Sequence, residues 1–443
     1  MSTLTPGERL LIFQLSCNLD AERAHSDCLM ANMMCQKPTQ EAPVKEAEKK
    51  KKKKKRSCWI KPWLMKRPYM GQYRLLMEEL HLKDEKAFRN FTRMDPDMFF
   101  FLLERLELRI RKQHTNWREC IEASVRLALT LRFLATGDSY KSLSYNWLIA
   151  HNTISKIVKD VVAAIIDEFA EDLLTPPLTA AKWEEVAETF ESRWNFPHAI
   201  GAVDGKHVAI RCPRNSGSLY YNYKGFYSIV MLAVVDANYK FMWVDAGSNG
   251  ACSDAQIWNS CELKMMIEDN ELDIPKAKPL VQGDQEVPYY LVEDDAFALR
   301  PFLQKPHSKR NLCRTERIFN YRLSRARRIV ENAFGILSNR FRCLLTTLSL
   351  HPDTCTAVVL ACCCLHNLMV DRNAGYYRGM VDDEDQNHNV IPGPWRDQPQ
   401  LVDGQKQGAR NTANQEGKAV REYLTNYFSS PEGAVEWQDR MVV

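Results

Sequence analysis

The run Ala199-Ile-Gly-Ala-Val-Asp-Gly-Lys-His-Val-Ala-Ile210 is apolar and β-branched at both ends and is broken once, by Val-Asp-Gly at 203–205. A nearly continuous apolar run of this kind reads as a strand buried on both faces. A carboxylate inside such a strand is costly unless it is paired or holds a metal. Asp-Gly is also the strongest hairpin dipeptide, so a turn at 204–205 is the competing reading. Downstream, residues 227–235 are almost unbroken apolar sequence, Asp236-Ala-Asn238 makes a turn, and 240–246 resume as a strand. Residues 253–267 have helical spacing, and 289–292 form a fourth short strand that ends in Glu293-Asp294-Asp295. A long amphipathic helix follows over 317–347, and an apolar one over 357–369. This order predicts an α/β domain with a mixed sheet, three strands forming a meander and the fourth joining by a crossover.

Upstream, residues 58–177 show apolar positions three and four apart, the mark of helices. Within them, 139–147, a break at 148–150 and 151–159 read as a helix-turn-helix-like segment over 139–165, with Asn152 or Thr153 capping the second helix. Lys156 and Lys159 then face solvent as candidate nucleic-acid contacts. An ordinary helical hairpin explains the same spacing. Residues 1–57 read as a disordered basic tail, and 371–443 as a mostly disordered acidic and polar tail with one helix near 416–427.

At 443 residues the chain is about three domain lengths. Its 45% apolar and 26% charged content is ordinary globular composition. The net charge of +4 conceals eight consecutive cations at 49–56, without which the remainder sums to −4. Affinity for nucleic acid therefore has to be sought locally. The cationic run suits nuclear import or loose phosphate contact, or is a solvated tail. The apolar stretch at 354–370 is short of the roughly 18 residues of a membrane span. With 14 cysteines and no secretory start, free thiols in a reducing compartment are expected.

Three acids interrupt otherwise apolar or basic structure. Asp204 breaks the first strand. Asp294 follows the carboxyl end of the fourth, the edge where open α/β sheets bind ligands, with Asp295 as a competitor. Glu331 sits where residues 300–342 carry 12 Lys and Arg against two acids. Taken alone, Glu331 reads as the surface partner of Arg327. Together the three would make the oxygen-rich site that Mg²⁺ or Mn²⁺ prefers. Nearby arginines (Arg322, Arg325 and Arg328) would bind phosphates. Asp254 reads as a helix N-cap or a further ligand, and Cys362, Cys363, Cys364 and His366 as packed side chains without metal-ligand spacing. No glycine-rich phosphate loop follows the first strand, which argues against a nucleotide-binding enzyme.

Six ordered blocks carry a resemblance. They are Ala199–His207, Leu219-Tyr-Tyr-Asn-Tyr-Lys-Gly225, Val244-Asp-Ala-Gly-Ser248 with Ser253-Asp254, Val292-Glu-Asp-Asp-Ala-Phe297, residues 319–335 around Arg-Ile-Val-Glu-Asn-Ala-Phe-Gly, and Cys364-Leu-His-Asn367. They resemble Harbinger-type DDE transposases, especially the vertebrate nucleases derived from that family. The likeness spans 199–370 and is looser over the preceding helices. It implies an RNase H-like DDE catalytic domain over 195–370. Its triad falls on Asp204, Asp294 and Glu331, with Asp254 sometimes counted as a metal ligand. Lys206 stands where many members have Thr. The resemblance further implies a divalent metal cofactor (Mg²⁺ or Mn²⁺), DNA as substrate and a location in the nucleus, with the cytoplasm as a second compartment. A Myb/SANT-like DNA-binding partner protein, and room for a homo-oligomer, are implied as well. The expected function is a metal-dependent DNA endonuclease. The alternative is a host-adopted DNA-binding or interaction protein with a retired site.

Overall fold

The computed structural model describes residues 60–114, 119–372, 377, 379–405 and 414–442. The basic run at 49–56, and the tail expected over 1–57, lie outside the described residues.

The central sheet follows from strands whose residues are apolar on both faces. β1 (Ala199–Ala209), β2 (Ser228–Val235) and β3 (Phe241–Asn249) form the antiparallel meander. β4 (Tyr290–Val292) joins β1 in parallel, and β5 (Leu303–Gln304) extends that edge, giving the order β3-β2-β1-β4-β5. A sixth strand, β6 (Val402–Asp403), pairs antiparallel with β1 where β4 has ended. Asp204 and Gly205 lie inside β1 and pair with Ala233 and Leu232, so the hairpin reading of Asp-Gly is excluded.

Both faces are covered, as a mixed sheet of this kind requires. Before the sheet, α1 (Pro96–Ile110), α2 (Ala123–Thr136), α3 (Tyr140–Trp147) and α4 (His151–Leu173) form the helical region, and α5 (Ala180–Trp194) leads into β1. After β3 come α6 (Asp254–Ser260) and α7 (Glu262–Glu268), then α8 (Arg314–Arg340), α9 (Pro352–Arg372) and α10 (Gln415–Tyr427). One face of the sheet, with Val203, Leu232, Trp243 and Leu291, packs on Trp183, Trp258 and Leu263 from α5, α6 and α7. The other, with Ala202, Val208, Met231 and Val292, packs on α8 and α9, and this core runs unbroken into α1–α4.

Several boundaries differ from expectation. The helix expected over 253–267 is split at Cys261, whose backbone is extended (φ −79°, ψ 149°). The second helix of the α3–α4 pair begins at His151 after Ala150, without a side-chain cap, so neither Asn152 nor Thr153 has that role. The turn between them is made by Leu148 in the left-handed region (φ 51°). α9 is longer than expected, and its 21 residues are apolar enough to cross a membrane. However, 78% of its most apolar window is buried in the core. Its Asn367 donates to Phe241 O and Leu173 O and accepts from Phe241 N, tying α9 to β3 and α4.

The tail expected from 371 onward is corrected. The described residues there pack into the protein through a few widely spaced anchors. Trp395 is buried against Gly335 of α8, and its indole N–H donates to Asn332 Oδ1 at 2.8 Å. Phe428 packs on Phe196 and Phe319. Sparse anchors give no periodicity, and the intervening acids resemble a solvated tail until their arginine partners are seen. Trp395→Ala should therefore cost about 3 kcal/mol, read by chemical denaturation. An unchanged midpoint would mean that the segment contributes nothing to the fold.

Candidate active site

Two neighbouring strands set the acids. β1 and β4 run parallel with Ala202 opposite Val292, and the same register carried two residues on brings Asp294 level with Asp204. Alternation along β1 turns Asp204 and Lys206 to the α8 face, and Gly205 to the other. On α8, Arg327, Glu331, Phe334 and Ser338 recur at four-, three- and four-residue steps, one helical face. All four line a cavity of about 230 Å³ together with Asp204, Lys206, Arg396 and Asp403.

The cavity is balanced by charge. Asp204 is 3% exposed, and its Oδ2 receives the Lys206 ammonium at 2.8 Å. The same ammonium lies 2.5 Å from Asp403 Oδ1 of β6. Arg327 approaches Asp204 Oδ1 at 3.9 Å. Glu331 receives Arg396 at 3.3 Å, and Arg396 also holds the buried Asp382. Burial works against the charged form of Lys206, but Asp204 and Asp403 overcome it and hold its pKa above the usual lysine range.

Of the sequence candidates, Asp204 and Glu331 share the cavity. Asp294 lies buried at the same sheet edge, its Oδ1 accepting from Ala296 N at 2.8 Å, but it is not part of the cavity wall. Asp295 points outward to Lys305. Asp254 is on the opposite face, its carboxylate packed so close over Gly205 and Gly404 that a β-carbon at either would collide with it. It is not the N-cap of α6. Ser253 is, with a reciprocal capping box to Gln256. The neighbouring Glu293, not singled out from the sequence, is wholly buried, and burial and then Asp294 push its carboxyl well above the ordinary range.

The phosphate-binding role expected of the α8 arginines is corrected. Arg322 is buried and donates to Gln438 Oε1, Gly433 O and Asn195 O. Arg325 forks onto Glu384 at 2.7 and 3.0 Å, and Arg328 reaches the same carboxylate at 3.1 Å. Two of the α8 arginines are thus matched by one acid of the C-terminal segment, Glu384, which lies 56 to 59 positions away in sequence. Lys156 and Lys159 are exposed on α4, as expected. Lys206 was legible in principle, since a strand places i and i+2 side by side, whereas Arg396 and Asp403 carried no local signal.

Three carboxylates are the hard oxygen donors a divalent ion takes, and cations already sit on two of them, Lys206 on Asp204 and Arg396 on Glu331. The donor chemistry fits such an ion. Among the described residues, no three His, Cys, Asp or Glu side chains converge closely enough to hold one as arranged. Cys362, Cys363 and Cys364 are packed thiols, raised in pKa by burial.

Residues 203–367 match the family described as DDE superfamily endonuclease. The mouse protein named "Putative nuclease HARBI1" is 26% identical over 74% of this chain and 87% of its own. Two Arabidopsis thaliana proteins, "Protein ALP1-like" and "Antagonist of like heterochromatin protein 1", are 23% and 24% identical over 65% of this chain and 71% and 74% of theirs. No solved structure matches the chain.

Removing one partner of a buried ion pair leaves the other uncompensated. Arg325→Ala should cost about 3 kcal/mol near neutral pH and leave DNA affinity in chelator within about twofold of wild type. Burial alone would raise the Glu384 carboxyl, but Arg325 outweighs it and holds the pKa below the usual glutamate range. The pair's stability is therefore present above the unfolded glutamate pKa and lost as pH falls through the lower folded value, so the penalty should shrink in acid. Denaturation curves across pH check this. A large loss of DNA affinity with intact folding would restore Arg325 as a DNA contact.

Proposed function

The chain belongs to the Harbinger-type, DDE transposase-derived family, and from that premise we propose that it is a divalent-metal-dependent DNA endonuclease built on an RNase H-like domain. The observation that carries the reading is the cavity shared by Asp204 of β1 and Glu331 of α8 at the sheet edge where Asp294 lies. In this reading Asp204, Asp294 and Glu331 hold Mg²⁺ or Mn²⁺, with Asp254 outside the set. The bound ion supplies charge that polarises the phosphodiester and lowers the pKa of the attacking water. Arg327 beside Asp204 limits repulsion between the acids and the incoming phosphate. Arg396 holds Glu331 in the cavity. Burial of Asp204 keeps bulk water from its carboxylate.

In this reading Lys156 and Lys159, exposed on α4, contact DNA phosphates, and the α3–α4 pair supports its docking. Work in the nucleus with a Myb/SANT-like DNA-binding partner, and self-association into a homo-oligomer, complete the proposal. A plant relative whose name ties it to a heterochromatin protein supports a chromatin setting.

A second reading, a host-adopted DNA-binding protein with a retired centre, draws support from the internal cations on Asp204 and Glu331. Plasmid nicking in Mn²⁺ or Mg²⁺, paired with DNA affinity in chelator, separates the two. Asp204→Asn and Glu331→Gln should each lower nicking about a hundredfold or more and leave affinity intact. Equal nicking by wild type and both variants overturns the triad. Wild-type binding without nicking establishes the second reading.

A further inference from the structure

The same cavity contains a second segment whose charges are opposite to those of the groups it meets. Residues 394–405 cross the mouth of the acidic centre. At one end Trp395 is sunk against Gly335 and Arg396 is held by Asp382. At the other, β6 pairs with β1, Gly404 N donates to Gly205 O at 2.9 Å, and Asp254 N donates to Gln405 O at 3.3 Å. Between them Gln400 and Leu401 complete the wall.

We propose that residues 394–405 are a strap that fills the centre with substrate-like charge, and that Lys206 is the residue that receives a DNA phosphate once the strap's distal end leaves. This rests on the nuclease reading of the same site.

A centre acting on a phosphodiester must accept a cation at its carboxylates and an anion close by. The strap delivers one of each. The Arg396 guanidinium lies on Glu331, where a cation belongs, and the Asp403 carboxylate lies on Lys206, where a phosphate oxygen belongs. The two partners of Lys206 differ in kind. Asp204 is two residues away on the same strand and buried. Asp403 comes from 197 positions away, and its side chain is 49% exposed. Asp403 thus meets the ammonium from the solvent side, the direction from which DNA must come, while Asp204 keeps Lys206 aimed into the cavity. The distal end is held by a short pairing. β6 is two residues long, and besides its pairing with β1 and the Gly404 and Gln405 backbone bonds it receives a hydrogen bond from the Tyr223 hydroxyl to Asp403 O at 3.3 Å. Trp395 and the Arg396–Asp382 pair form the fixed hinge. A phosphate would replace the Asp403 carboxylate on Lys206, and the released carboxylate, already half exposed, would be solvated by water.

The test uses the full chain in chelator, with a fluorescently labelled short duplex and no cleavage, so it does not depend on whether the protein nicks DNA. Asp403→Asn should tighten binding about tenfold and Lys206→Met weaken it about tenfold. Combined, Asp403→Asn should gain nothing in the Lys206→Met background. Because Lys206→Met strips buried Asp204 of its ammonium, Asp204→Asn with Lys206→Met is the neutral background if the single variant melts more than about 5 °C lower. Adding DNA to wild type should raise hydrogen exchange at the Gly404 amide. Equal tightening by Asp403→Asn with and without Lys206 would reduce the effect to net charge and overturn the proposal. So would unchanged affinity of Asp403→Asn, or a Gly404 amide that stays as protected with DNA as without it.

Discussion

A carboxylate enclosed by a sheet cannot remain charged there without a cation beside it, and most of what is distinctive here follows from how Asp204 meets that demand. Desolvating an isolated ion costs several kcal/mol after the protein relaxes. Lys206, two residues along the same strand, supplies the countercharge, and Arg327 approaches from α8. Lys206 is itself buried, and one carboxylate is not its only partner. Asp403 provides the second from the far end of the chain. The centre is therefore a chain of alternating charges rather than a bare acidic cluster.

The same accounting extends along α8. A helix with so many arginines would repel itself if it were packed alone against a sheet. Its inner arginines are neutralised by Glu384 and seated on Asn195 and Gln438. The C-terminal segment thus contributes to the charge balance of α8 as well as to its packing. α9 does the apolar counterpart. It is buried between the sheet and α4, and so joins the helical region and the sheet in one core.

The local features were readable from the sequence. Apolar runs located β1 to β4, helical spacing located α8 and α9, and the breaks in those patterns marked Asp204 and Glu331. The features that depend on distant partners were not. Arg322, Arg325 and Arg328 look like phosphate ligands until their carboxylate and carbonyl partners are known, and those are many positions away. Residues 379–405 and 414–442 look like a tail because Trp395, Leu424 and Phe428 are too sparse to make a period. Asp254 shows a third kind of difficulty. It opens α6, which covers the face of the sheet opposite α8, and only the approach of Gly205 and Gly404 reveals the side it occupies.

The pairing of β6 with β1 also fixes an order of events during synthesis. β1 leaves the ribosome nearly two hundred residues before Asp403 exists. Until then the carboxyl half of β1 has one open edge, with backbone groups able to pair with any passing strand. Gly205 and Lys206 lie on that edge. A growing chain therefore carries an unpaired strand edge and a charged pocket at the same place. Both are closed only by the last tenth of the sequence, so a chain that stops early is left with a sticky edge as well as an unbalanced charge.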